Sequence, residues 1–166
     1  MILLGSLLQR GLLRFFLAGI AMALCLPAIA AEPDANTAKL ASLLQQSAFK
    51  GTNKINDRIW TIDFNGKQLP KFKLIVTTVD RAGGLITIIA NPVSRAQLPQ
   101  TTGAMLLLLK ANDRVDLIKF GIDNDGDSFV RADMPVTADP AFFKSMIDQV
   151  ALETDTIYGQ MKPLLK

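Results

Sequence analysis

No histidine occurs in this 166-residue chain, and its one cysteine, Cys25, lies within the first thirty residues. The first absence removes imidazole acid–base chemistry; from residue 31 onward the two together remove thiol nucleophiles, disulfides and Cys/His metal sites. Carboxylates are limited as well. Only two glutamates, Glu32 and Glu153, follow residue 30, and most aspartates stand where helix caps and turns are expected. Trp60 and Tyr158 are single representatives of their kinds, too few for the stacking platforms that single-stranded nucleic acid needs. What the chain does have is apolar residues, 49% overall, of which 22 lie in residues 1–30. The remainder is still apolar enough, and long enough, for one globular domain with a packed core. The formal net charge is +3, but Arg10 and Arg14 are the only charges before residue 31, so the rest is close to neutral. That leaves little general attraction for polyanions.

The first thirty residues have the layout of an export signal. A basic stretch, Arg10 to Arg14, precedes an apolar run from Phe15 to Leu26; Pro27 breaks it, and Ala28-Ile29-Ala30 supplies a small-x-small cleavage pattern. Cleavage is expected after Ala30 or one residue later. The alternative is an uncleaved membrane anchor, for which this run is at the short limit. Lipid attachment at Cys25 is disfavoured by the bulky Leu24 before it. The expected organisation is residues 1–30 as signal and 31–166 as one domain, exported to the periplasm or released.

In the second segment, Leu40, Leu43 and Leu44 predict a helix over 36–48 with Asp34 or Asn36 as its cap. Ile55–Phe64 is rich in β-branched and aromatic residues and predicts a strand, with Asn65-Gly66 as the turn after it. Lys71–Val79 alternates as a half-buried strand with Phe72, Leu74 and Val76 on one face. Ala82-Gly83-Gly84 reverses the chain into an apolar strand, Leu85–Ala90. A Leu-rich helix is expected over 100–112, then a hairpin of Val115–Ile122 and Phe129–Val136 about the Asp125-Gly126 turn. Asp139 caps a last helix with Pro140 in its first turn. Phe143, Met146, Ile147, Val150, Ile157 and Met161 form its stripe, interrupted only by Thr154, and Gly159 is a weak point near its end. The order α-β-β-β-α-β-β-α predicts an α+β fold: an antiparallel five-stranded sheet with helices packed on it.

This series resembles the YbjN-like family, bacterial proteins that share the fold of type III secretion class I chaperones. The residues that carry the resemblance are the Leu-rich helix closing on Lys110-Ala111-Asn112, the hairpin Lys119-Phe120-Gly121-Ile122-Asp123-Asn124-Asp125-Gly126-Asp127, and the Asp139-Pro140 helix ending near Tyr158. It covers roughly residues 36–165. The resemblance implies a non-enzymatic domain, often dimeric, that binds other proteins and has no established catalytic or ligand residues. The export signal sets this chain apart from typical secretion chaperones.

The residues themselves nominate no catalytic, cofactor-binding or metal site. Asp123, Asp125 and Asp127 imitate the middle of a calcium loop. With Gly126 at its sixth position, however, Gly121 and Ala132 occupy the first and twelfth, where ligands are required, so a solvated turn is the better reading. Lys144 and Ser145 are helix neighbours whose side chains point about 100° apart and do not meet. Charge is uneven: residues 31–110 hold ten basic and five acidic groups, residues 111–166 six and ten. These halves could steer a charged partner or pair two copies, although plain solvation of both is the simpler account. Phe142, rotated off the last helix's stripe, is a candidate contact. The expected function is a non-catalytic protein-binding module, adaptor- or chaperone-like. Its partners would be another protein or a second copy, not nucleic acid, with membrane contact only through an uncleaved signal. The alternative is a small-ligand carrier or sensor with a pocket near Trp60, Phe72, Met134 and Met146.

Overall fold

The structure, a computed structural model, describes residues 34–80, 83–99 and 101–165. The expected export segment and cleavage site, and Cys25 with them, lie outside those residues. Among the described residues no helix is long and apolar enough to cross a membrane.

Helix α1 (Ala35–Ser47) begins where Asp34 accepts the Thr37 N–H at 2.9 Å, and ends at Ala48 in a left-handed conformation. Two short strands follow, β1 (Thr52–Lys54) and β2 (Ile59–Phe64). The single strand expected over Ile55–Phe64 is therefore two. Asn56 accepts the Arg58 N–H on its side chain, and the Ile55 and Asn56 N–H groups both reach the Ile59 carbonyl, which bends the chain into a hairpin. Ile55 is left at the bend, 62% exposed despite its β-branched side chain. Strands β3 (Phe72–Val79) and β4 (Leu85–Ala90) come next, then helix α2 (Thr102–Arg114) and the hairpin of β5 (Ile118–Ile122) and β6 (Ser128–Pro135). Helix α3 (Pro140–Met161) closes the domain, with a 3-10 turn after it (Lys162–Leu164).

The sheet thus has six strands rather than five, all antiparallel, in the order β1-β2-β3-β4-β6-β5. The last two strands are transposed, so β6 is interior and β5 takes the edge. Register places Trp60 and Ile62, Leu74 and Val76, Ile86 and Ile88, Val130, Ala132 and Met134, and Ile118 and Phe120 on one face. Leu40, Leu43 and Leu44 of α1, Leu108 and Ala111 of α2, and the whole predicted stripe of α3 join them in one buried cluster. Thr154, the stripe's polar interruption, donates its hydroxyl to the Val150 carbonyl at 2.7 Å and is fully buried. The opposite face, with Thr61, Ile75, Thr87 and Ile89, lies away from that cluster.

The signature hairpin organises the next connection. Asp123 accepts from the N–H groups of Asp125 and Asp127 and from the Asn91 side chain. Asp127 accepts the Arg95 N–H at 2.7 Å, and Ser128 bonds both main-chain groups of Val93. The acidic turn is therefore a brace that holds residues 91–95.

Candidate functional site

A groove of ≈ 650 Å³ lies between α3 and the chain that links β2 to β3. Asn65-Gly66 is not a two-residue turn. The strands part at the Phe64–Phe72 pair, and residues 65–71 form a wider loop in which the Gly66 N–H reaches the Leu69 carbonyl. One side chain of α3 holds that loop. Asp155 accepts the N–H groups of Lys67 at 3.0 Å and of Gln68 and Leu69 at 2.8 Å each. Burial by itself would raise the Asp155 carboxyl, but the three N–H groups and the Lys67 charge outweigh it and hold it below the usual carboxylate range.

Two glycines permit the approach. A side chain at Gly66 would collide with the Asp155 carboxylate, and one at Gly159 would come within 2.7 Å of Gln68. Gly159, a weak point by helix propensity, is where the loop packs. The floor of the groove is the stacked pair Phe64 and Phe72, 5.8 Å between ring centroids, with Phe49 tilted against Phe64. Leu152 lines the α3 wall and is 62% exposed. The groove therefore offers aromatic and aliphatic surface framed by amides and a fixed loop, a composition suited to binding.

The residues expected to line a ligand pocket divide. Trp60, Met134 and Met146 are core residues, whereas Phe72 does reach the groove. Phe142 stands off the stripe, 39% exposed. Asp155 and its loop were not foreseen, and the only sequence signals for them were Gly66 and Gly159. Helix α2 buries Ala104, Leu108 and Ala111 but leaves Leu106 and Leu109 facing solvent, with Leu117 exposed just beyond it. At its end, Asn112 donates to the Phe120 carbonyl and accepts the Phe120 N–H, both at 2.9 Å. Its amide thus satisfies the main chain of the edge strand β5.

This two-layer α+β domain with a braced hairpin and a helix-terminal asparagine has known counterparts. The YbjN family model, described as "Putative bacterial sensory transduction regulator", matches residues 73–162, more than half of the chain. The chain belongs to the YbjN family. Among solved structures it is similar to YbjN from E. coli, with a TM-score of 0.52 and 12% identity over 78% of this chain and 93% of that one. At that identity the likeness concerns the fold. A chain of the heterodimeric ExoU–SpcU complex, from the type III secretion system of Pseudomonas aeruginosa, aligns with a TM-score of 0.47 and 19% identity, covering 75% of this chain and 96% of that one. No curated protein matches.

Proposed function

We propose that this domain is a non-catalytic, adaptor- or chaperone-like module that binds another protein in the groove between α3 and the clamped loop. The observation that carries this reading is the groove itself: a stacked Phe64–Phe72 floor and a solvent-facing Leu152, in a chain with no histidine and no cysteine beyond residue 25. The export-signal layout of the first thirty residues supports work in the periplasm or outside the cell. Self-pairing through Leu106 and Leu109 of α2 is part of the same proposal, and nucleic acid is not a partner.

A photo-crosslinking residue at position 152, in protein expressed in its own host, tests the groove. The expected result is one discrete adduct with an envelope protein, lost on Phe72→Ala and absent when the crosslinker is moved to Ile55, which is exposed but does not line the groove. Absence of any discrete adduct from position 152 would overturn the reading. Gln160→Arg, on the exposed rim, provides a second variant with little risk to folding and should weaken capture.

A further inference from the structure

The sheet contains a second, smaller opening. Strand β3 pairs with β2 from Phe72 onward, but with β4 only from Ile75. Beyond the Ile75–Ile89 pair the two strands part, because residues 91–95 are drawn away to the braced hairpin by Asn91–Asp123, Val93–Ser128 and Arg95–Asp127. Pro92, with no N–H, adds no donor to continue the ladder. The parting leaves a slot of ≈ 420 Å³, lined on its apolar side by Leu69, Phe72, Ile75 and Pro92.

The slot's polar groups divide into those already used and those not. Asn91 is spent on Asp123, Thr154 on the Val150 carbonyl, and Lys73 pairs with Asp63 at 2.7 Å. Thr61 is different. It is 8% exposed, and its hydroxyl is a buried side-chain group without a hydrogen-bond partner among the described residues. Lys71, also lining the slot, has no ion-pair partner among the described residues. A buried hydroxyl left without a partner costs stability that a methyl group of the same shape would not.

We propose that this slot binds a small organic anion: a carboxylate that accepts a hydrogen bond from the Thr61 hydroxyl and pairs with the Lys71 charge, on a short apolar body lying against Leu69, Phe72 and Pro92. The volume falls within the range typical of small-molecule sites, about 300–1,000 Å³. The slot shares Phe72 with the protein-binding groove, but Thr61 and Lys71 line the slot and not the groove, so substitutions at those two positions test it separately.

Phenylacetate is a suitable probe, with uncharged phenylacetamide as its control, titrated into the full chain and followed by amide chemical shifts. Saturable shifts confined to Thr61, Phe72–Ile75 and Asn91 are expected, with phenylacetamide binding more weakly. Thr61→Val and Lys71→Gln should each weaken phenylacetate about tenfold, the loss expected for one hydrogen bond to a charged group. Thr61→Val should also raise the melting temperature of the ligand-free protein. Shifts that never saturate or that scatter over the surface would overturn the proposal, as would unchanged affinity in Thr61→Val. A lower melting temperature for that variant would also overturn it, because it would mean the hydroxyl serves the fold.

Discussion

Asn112 ends α2 with its amide set against Phe120, donating to that residue's carbonyl and accepting from its N–H as a neighbouring strand would. It also donates to the Leu108 carbonyl one turn back, so the side chain is held from both sides. Exposed strand edges invite pairing with other chains, and a side-chain amide at the middle of β5 blocks that template. Asn112→Ala should cost about 1–3 kcal/mol, by leaving two main-chain groups of a half-covered strand without their partner. Urea denaturation would show it as a lower midpoint at unchanged slope. Asn112→Asp should not rescue it, because a carboxylate accepts from the Phe120 N–H but repels the Phe120 carbonyl. The asparagine stands out in the sequence as the close of a Leu-rich helix. Its task does not, since that depends on a strand eight residues further on turning back beside it.

The clamp between α3 and residues 65–71 is an element-scale device, and its chemistry sets a pH dependence. The Asp155 carboxyl is held below the ordinary value for an aspartate, so the folded state favours its charged form. Its contribution is in full force above the unfolded pKa of about 4 and is lost as pH falls below that, toward the folded value. Protection of the Lys67, Gln68 and Leu69 amides, measured against their intrinsic exchange rates, should therefore fall below about pH 4 in wild type, before the rest of the domain opens. In Asp155→Asn the same amides should exchange fast at neutral pH. Gly66→Ala should act alike, since its methyl group meets the carboxylate, with a loss on the order of 1–3 kcal/mol in thermal denaturation. None of this was legible locally. Asn65-Gly66 carries the chemistry of a tight turn, and what widens it is a residue on a helix almost ninety positions away. Helix α3 was legible nearly to its ends because its stripe follows the helical period over six turns. β1 was not: Thr-Asn-Lys is too short to alternate, and the Asn56-Asp57 bend after it was hidden among β-branched neighbours.

At the scale of the molecule, the sheet order turns a sequence asymmetry into a spatial one. β1 to β4 come from the basic half of the chain and stay together, while β5 and β6 come from the acidic half and form the other end. Several lysines are nevertheless answered locally, as Lys54 is by Asp57 and Lys73 by Asp63, which dilutes the effect at short range. Two modes of self-association then make opposite forecasts. Head-to-tail charge pairing would fade as salt shortens the Debye length from about 30 Å at 0.01 M to 3 Å at 1 M. Pairing through Leu106 and Leu109 would persist. Sedimentation across that range should show a dimer that survives high salt, and Leu109→Lys should weaken it tenfold or more, on the order of one interface hot spot, with the melting temperature of the dilute monomer unchanged.

The same strand order has a consequence for how the chain must be made. β4, Leu-Ile-Thr-Ile-Ile-Ala, is uncharged, free of proline and glycine, and rich in β-branched residues, the composition of an aggregation-prone segment. In the finished domain it is sealed between β3 and β6. During synthesis from the N-terminus, however, it emerges long before β6 exists to cover it, with everything from Asn91 to Asp127 still to come. Throughout that interval its far edge is bare. A ribosome stalled within α2, or a protease cut there, would release a meander whose stickiest strand is its last.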